Sequence, residues 1–259
     1  MTRRPSLLQS SRSVVLTLLT VLSVTAPAVM ASEGPQVLSS GEGKVTLLEL
    51  YTSEGCSSCP PADRWVSGLV RDPRLWRDVV PVSFHVDYWD WIGWRDRFAD
   101  PAYSERQRRH IDEGNARVVY TPGFFADGEE WRGFFDRAPL EPSGGPAGEL
   151  VLTIGNGDVT VRFNDVGQAS GRLDVTVALL GMGLDSDVSA GENRGRSLQH
   201  DFVVLGLAEA RLVEQEDGRS ARMELPEVDE QPLAIAGWVT GHDSQRPLQA
   251  VGGYLDRSP

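Results

Sequence analysis

The chemistry this chain can perform is concentrated in its only two cysteines, Cys56 and Cys59, spaced C-x-x-C. That spacing serves either a redox dithiol or half of a zinc site. Zinc needs about four ligands, usually with a second cysteine or histidine pair, and the chain offers none, so thiol–disulfide chemistry leads. Such chemistry requires one reachable sulfur at a helix start, where partial positive charge stabilises a thiolate. The flanking residues predict that geometry. Lys44 to Tyr51 is an apolar run suited to a buried strand, and the run beginning at Ala62 has helical character. Pro60-Pro61 places the helix start close to Cys59, because proline is welcome only in the first turn. Cys56 is then expected to be the more exposed sulfur and the nucleophile, and Cys59 the resolving thiol. Glu49, inside the strand, either moves protons for the resolving thiol or faces solvent at the strand's end.

Further along, Val79 to Val86 is a second strand candidate, followed by Asp87-Tyr88-Trp89-Asp90-Trp91-Ile92-Gly93-Trp94. So many aromatics form either an apolar wall that grips a substrate or a satellite cluster pinning the loop. His85 raises a lesser possibility, a copper or zinc site with Cys56 and Cys59. Pro101 to Glu113 reads as a helix capped by Asp100 and stopped at Gly114-Asn115. An Asp127-Gly128 turn joins two short strands into a hairpin. Thr121-Pro122 stands where the chain enters it, a position that suggests a cis bond.

Three blocks, ELYTSEGCSSCPPAD, FHVDYWDWIGWRDRFADPAYSERQ and VYTPGFFADG, resemble secreted thioredoxin-like proteins of domain-of-unknown-function family 1223. The resemblance covers about residues 44 to 133. It implies a thioredoxin fold, Cys56 as the attacking cysteine and Cys59 as the resolving one. It also implies that Thr121-Pro122 is a cis-proline element lying against the dithiol and pairing with substrate backbone. The chain departs from the pattern in three places. Gly123 follows the proline, the turn before Cys56 is longer than in thioredoxin, so Glu49 matches its buried acid only approximately, and the last helix shrinks to about Phe134 to Arg137.

The second half reads differently. Residues 138–149 form a proline- and glycine-rich linker. Beyond it, alternation at Leu152, Ile154, Val159, Val161 and Phe163, and again at Leu173, Val175, Val177 and Leu179, predicts short antiparallel strands. The expected fold is an α/β thioredoxin-like domain (44–137) followed by a small all-β sandwich of immunoglobulin-like type (150–259). Its histidines, His200 and His242, are isolated, and Glu192-Asn193-Arg194-Gly195-Arg196 is a polar loop without an assigned role.

At the N-terminus, Arg3, Arg4 and Arg12 precede the apolar run Val14 to Val24 and small residues ending at Ala31, the pattern of a signal peptide over residues 1–31. The apolar run is short for a membrane span. Ser32 to Gly43 reads as a mobile leader. A net charge of -12 argues against nucleic acid as a partner. The expectation is an exported, secreted or periplasmic thiol–disulfide oxidoreductase. Its partners would be protein thiols or disulfides and a redox partner, with no cofactor and no membrane span after cleavage. The alternatives are a secreted binding or scaffold protein in which the disulfide is a clip, and a copper-handling protein.

Overall fold

The computed structural model describes residues 34–167 and 169–256, besides Met1. The expected signal peptide lies outside the described residues. Residues 34–256 belong to one compact unit. Its strands are β1 (Gln36–Ser39), β2 (Thr46–Thr52), β3 (Val79–His85), β4 (Gly123–Ala126) and β5 (Glu129–Glu130) in the first half. The second half adds β6 (Glu149–Ile154), β7 (Asp158–Asn164), β8 (Leu173–Gly181), β9 (Leu184–Asp187) and β10 (Ser197–His200). It continues with β11 (Val203–Arg211), β12 (Val213–Gln215), β13 (Gly218–Glu224), β14 (Ala234–Gly241) and β15 (Pro247–Tyr254). The helices are α1 (Pro60–Ser67), α2 (Pro101–Asp112) and the single turn α3 (Gly133–Asp136).

These residues do not form an α/β thioredoxin-like domain followed by a small sandwich. The chain is mostly β-structure built from large sheets. An eight-stranded sheet runs β15-β14-β8-β11-β3-β2-β4-β5 and draws strands from both halves; a five-stranded sheet runs β1-β6-β7-β13-β12. The join is narrow. β11 meets β3 in parallel at Val203 and Ser83, and the Ser83 N–H donates to the Phe202 carbonyl at 2.8 Å. Alternation predicts strands correctly but says nothing about which strand covers a neighbour's open edge, and β3 has such an edge to cover. The leader expected to be mobile also contributes: β1 pairs with β6, Leu38 opposite Leu152.

Within the large sheet, β2 is buried along its whole length, as a strand covered on both faces must be. Its period of two sorts the side chains. Leu48 and Leu50 pack with Ala62 and Val66 of α1, whereas Leu47 and Tyr51 join Phe84, Tyr103 and Trp238 on the other face. A further core fills the space between Leu150, Leu152, Val161 and Phe163 of the smaller sheet and Val175, Val177 and Ile235 of the larger one.

Candidate active site around the Cys56–Cys59 disulfide

β2 ends at Thr52, and the chain turns through Ser53, Glu54 and Gly55 into the cysteines. Cys59 is the N-cap of α1, with Pro60 and Pro61 in its first turn, so the proline pair does start the helix there. Cys56 and Cys59 form a disulfide with Cα atoms 5.4 Å apart. Residue order predicts Cys56 to be the more exposed sulfur, yet both are buried, Cys56 1% exposed and Cys59 not at all. Two segments close over the turn. A Cβ on Gly55 would approach Trp89 Cβ to 3.0 Å. From the second half, Asn193 Nδ2 donates to the carbonyls of Glu54 and Cys56 at 2.8 and 2.9 Å.

The Thr121–Pro122 peptide is cis. The Thr121 carbonyl oxygen lies 3.9 Å from Cys56 Sγ, and Ser58 Oγ lies 3.3 Å from the same sulfur. Trp89 Nε1 donates to Thr121 Oγ1 at 2.8 Å. The structure therefore brings Cys56, Cys59, Thr121 and Pro122 into one neighbourhood.

Glu49 is elsewhere. Two residues from Tyr51 on a pleated strand, it shares the face turned away from α1. Its carboxylate accepts from Arg106 Nε and Nη2 at 2.8 and 3.0 Å and from the Tyr51 hydroxyl at 2.8 Å. Burial alone would raise this carboxyl, but Arg106 and then His110 outweigh it and hold it well below the usual carboxylate range. A carboxylate so firmly ionised is a poor carrier of protons for a thiol.

On the α1 face of β2, a different set of titratable groups takes that place. Asp63 lies one helical turn beyond Cys59, and its Oδ1 accepts from the Thr52 hydroxyl at 2.7 Å. His200 at the end of β10 sets Nδ1 3.9 Å from Asp63 Oδ2 and Nε2 3.4 Å from Glu54 Oε1. Its ring meets that of His85 edge-on at 4.9 Å. His85 Nδ1 is 2.7 Å from Asp96 Oδ2, and Trp94 Nε1 donates to Glu54 Oε2 at 2.7 Å. Burial, the largest influence on Asp63, pushes its carboxyl up. Burial would lower His85, yet the Asp96 carboxylate beside it holds it above the ordinary imidazole range. Among the described residues, Glu54 Oε1, Asp63 Oδ2, His85 Nε2 and both His200 ring nitrogens are buried without a hydrogen-bond partner.

His85 is thus committed to Asp96, and no cluster of three or more histidine, cysteine or acidic side chains among the described residues has metal-holding geometry. The sequence did not reveal Asp63 or His200 as site residues. Asp63 had a legible signal, an acid one turn after Cys59 on the face that carries Ala62 and Val66; His200 reads as isolated until β11 docks on β3.

A helix-capping disulfide above a buried acid–imidazole set defines a β-rich protein with a potential dithiol site. The chain belongs to a family of proteins of unknown function (DUF1223), whose model matches residues 47–240. No curated protein matches it. A crystal structure of a protein from Agrobacterium tumefaciens is similar, at 22% identity and a TM-score of 0.55, covering 83% of this chain and 99% of that one. HBP35 of Porphyromonas gingivalis is similar at 16% identity and a TM-score of 0.58, covering 84% of this chain and 77% of the other. At these identities the likeness concerns fold alone.

Proposed function

We propose that this chain is an exported thiol–disulfide oxidoreductase acting on protein thiols and disulfides through Cys56 and Cys59. The observation that supports it is the disulfide at the start of α1 directly above a buried, incompletely paired acid–imidazole set. A C-x-x-C bridge closes a very small loop, so it adds little stability by constraining the unfolded chain. In the reducing direction, Cys56 thiolate attacks a substrate disulfide and expels one substrate thiolate, leaving a mixed disulfide. Cys59 then attacks Cys56 sulfur, releasing the second substrate thiol and forming the Cys56–Cys59 bond. Asp63, backed by His200, accepts the Cys59 proton. Thr121, its carbonyl 3.9 Å from Cys56 Sγ, and the adjoining Pro122 receive the substrate backbone, and Glu49 has no part in the chemistry. The segments over Cys56 must open for substrate to enter. None of this requires the thioredoxin-like architecture, which the chain does not have; it requires one sulfur and one proton acceptor at the same turn. The N-terminal pattern of residues 1–31 supports export to an oxidising compartment, where such a pair persists.

Insulin reduction with wild type, Cys56→Ser and Cys59→Ser tests this reading. Wild type should outpace a free dithiol, Cys56→Ser should be inert, and Cys59→Ser should accumulate mixed disulfides. A wild-type rate no better than free dithiol sinks it. The near-complete burial of both cysteines favours a second reading, a secreted scaffold with a structural clip. A clip would be strongly reducing and inert to glutathione, whereas an active pair exchanges.

A further inference from the structure

The loop joining β9 to β10 does more than cover the cysteine turn. Asn193 is fully buried and fastens the loop to the carbonyls of Glu54 and Cys56; Arg196 Nη1 in turn donates to Asn193 Oδ1 at 2.9 Å. Seated by that clamp, the neighbouring Glu192 carboxylate accepts from the Ser57 backbone N–H at 3.1 Å. Ser57 directly follows Cys56 in the turn that leads to Cys59, the N-cap of α1, so Glu192 places its charge on the peptide next to the attacking cysteine. Building on the redox reading above, the geometry points to Glu192 as a positioning residue that disfavours the Cys56 thiolate and makes the dithiol more reducing.

The sign follows from two effects in the same direction. A negative carboxylate hydrogen-bonded to the residue after Cys56 repels a second negative charge on that cysteine, and it occupies an N–H of the turn that feeds α1. Both leave the thiolate less stabilised, so the reduced protein is less stable relative to its disulfide. The bond to Ser57 also favours the ionised form of Glu192, whose carboxyl is lowered for that reason. Other charged groups nearby are Arg64 and Arg196, which line the adjoining groove with Ser57, and Glu54, Asp63 and His200 beneath the turn. The Glu192 oxygen alone among them is hydrogen-bonded to the peptide that follows Cys56.

The test is redox equilibration of the full chain with glutathione, alongside the Cys56 thiol pKa from thiolate absorbance. In this equilibrium the Cys56–Cys59 bond breaks and the protein gains two electrons and two protons. Two glutathione thiols lose the same and become glutathione disulfide. Glu192→Gln should shift the equilibrium toward the reduced protein roughly two- to fivefold, the scale of one surface charge near a helix start, and should lower the Cys56 pKa. Glu192→Lys should shift both further in the same direction. The side chain is exposed, so both variants should fold as wild type does, and added salt should shrink the differences. If wild type equilibrates but both variants match it, the role of Glu192 is overturned and the redox reading stands. If the folded wild type never equilibrates, both fall together.

Discussion

Two buried charge clusters flank β2, one on each face; both pair acids with histidines, but only one of them also holds an arginine. Under α2, Glu49 is met by a two-pronged Arg106, by Tyr51 and by His110 at 3.4 Å. The guanidinium is itself stacked over Trp238, 5.1 Å from the ring centre. Every charge there has a partner, and nothing is left over to accept a proton. Under α1, Glu54, Asp63, His85, Asp96 and His200 are as deeply buried, yet several of their nitrogens and oxygens have no partner. A closed ion pair holds structure together, whereas an incompletely satisfied one leaves protonation states open. Burial of a charged residue is therefore a poor guide to function, and the state of its neighbours is a better one.

The largest effect should come from breaking the closed cluster. Arg106→Met takes from the buried Glu49 its two-pronged counter-charge, leaving only Tyr51 and His110, and should cost about 3–5 kcal/mol in denaturant unfolding at pH 7, with the glutathione equilibrium unchanged. Glu49 is held below its ordinary value, so its contribution is present above about pH 4.3 and fades as pH falls toward the folded-state value. The deficit of Arg106→Met should therefore narrow in acid. A double Arg106→Met, Glu49→Leu chain should recover most of the loss, since it removes both charges. A single-variant cost below about 1 kcal/mol would contradict the assignment.

Asp63→Asn should behave in the reverse way. The folded-state carboxyl is raised, so any stability it contributes is present below its unfolded value and lost as pH rises through the folded one. At pH 7 the asparagine chain should be as stable as wild type or more so, because its amide oxygen can still accept from Thr52. Attack by Cys59, followed as release of a trapped mixed disulfide, should nonetheless slow about a hundredfold. An unchanged release rate would remove Asp63 from the chemistry.

The His85–Asp96 contact offers a smaller effect with its own pH signature. The Asp96 carboxyl is lowered and His85 is raised. The contact is therefore fully stabilising only between the two ordinary values, near pH 4 and pH 6.5. Acid should erode it by protonating Asp96, and rising pH should erode it by deprotonating His85. His85→Asn should lose about 1.5 kcal/mol at pH 6, and less at pH 9. Parallel pH–stability curves for the two proteins would refute this.

Much of this arrangement was legible from residue order. Pro60-Pro61 fixed where α1 begins, Asp100 caps α2 through Ala102 N at 2.8 Å, and Asp127-Gly128 turns β4 into β5. Those signals are local, because a cap or a turn depends on a few adjacent residues. What escaped was long-range. Residue order leaves Glu49 either serving the resolving thiol or facing solvent; it does neither, and only the packing of α1 against Leu48 and Leu50 reveals that it points away into the other core. His200 and Asn193 lie well over a hundred residues from Cys56 and reach it only because β11 adds to β3. The same pairing overturned the expected division into an α/β domain and a separate sandwich.

The tryptophan segment supplies the smallest effect and the finest discrimination. Trp94 and Trp89 point inward, one to Glu54 and one to Thr121, so they belong to the open cluster and its cover. Trp91 is 81% exposed, and a large aromatic left in water on the same segment as Trp89, which packs over the cysteine turn, is a grip for an unfolded chain. Its removal should leave folding alone: Trp91→Ala should change stability by no more than about 0.5 kcal/mol. It should slow exchange with reduced or scrambled protein substrates several-fold while exchange with glutathione, too small to reach the ring, stays as in wild type. If both substrates slow equally, Trp91 acts on the cysteine turn rather than on the substrate. If neither slows, the exposed ring is incidental, and the segment serves only to hold Glu54 and Thr121 in place.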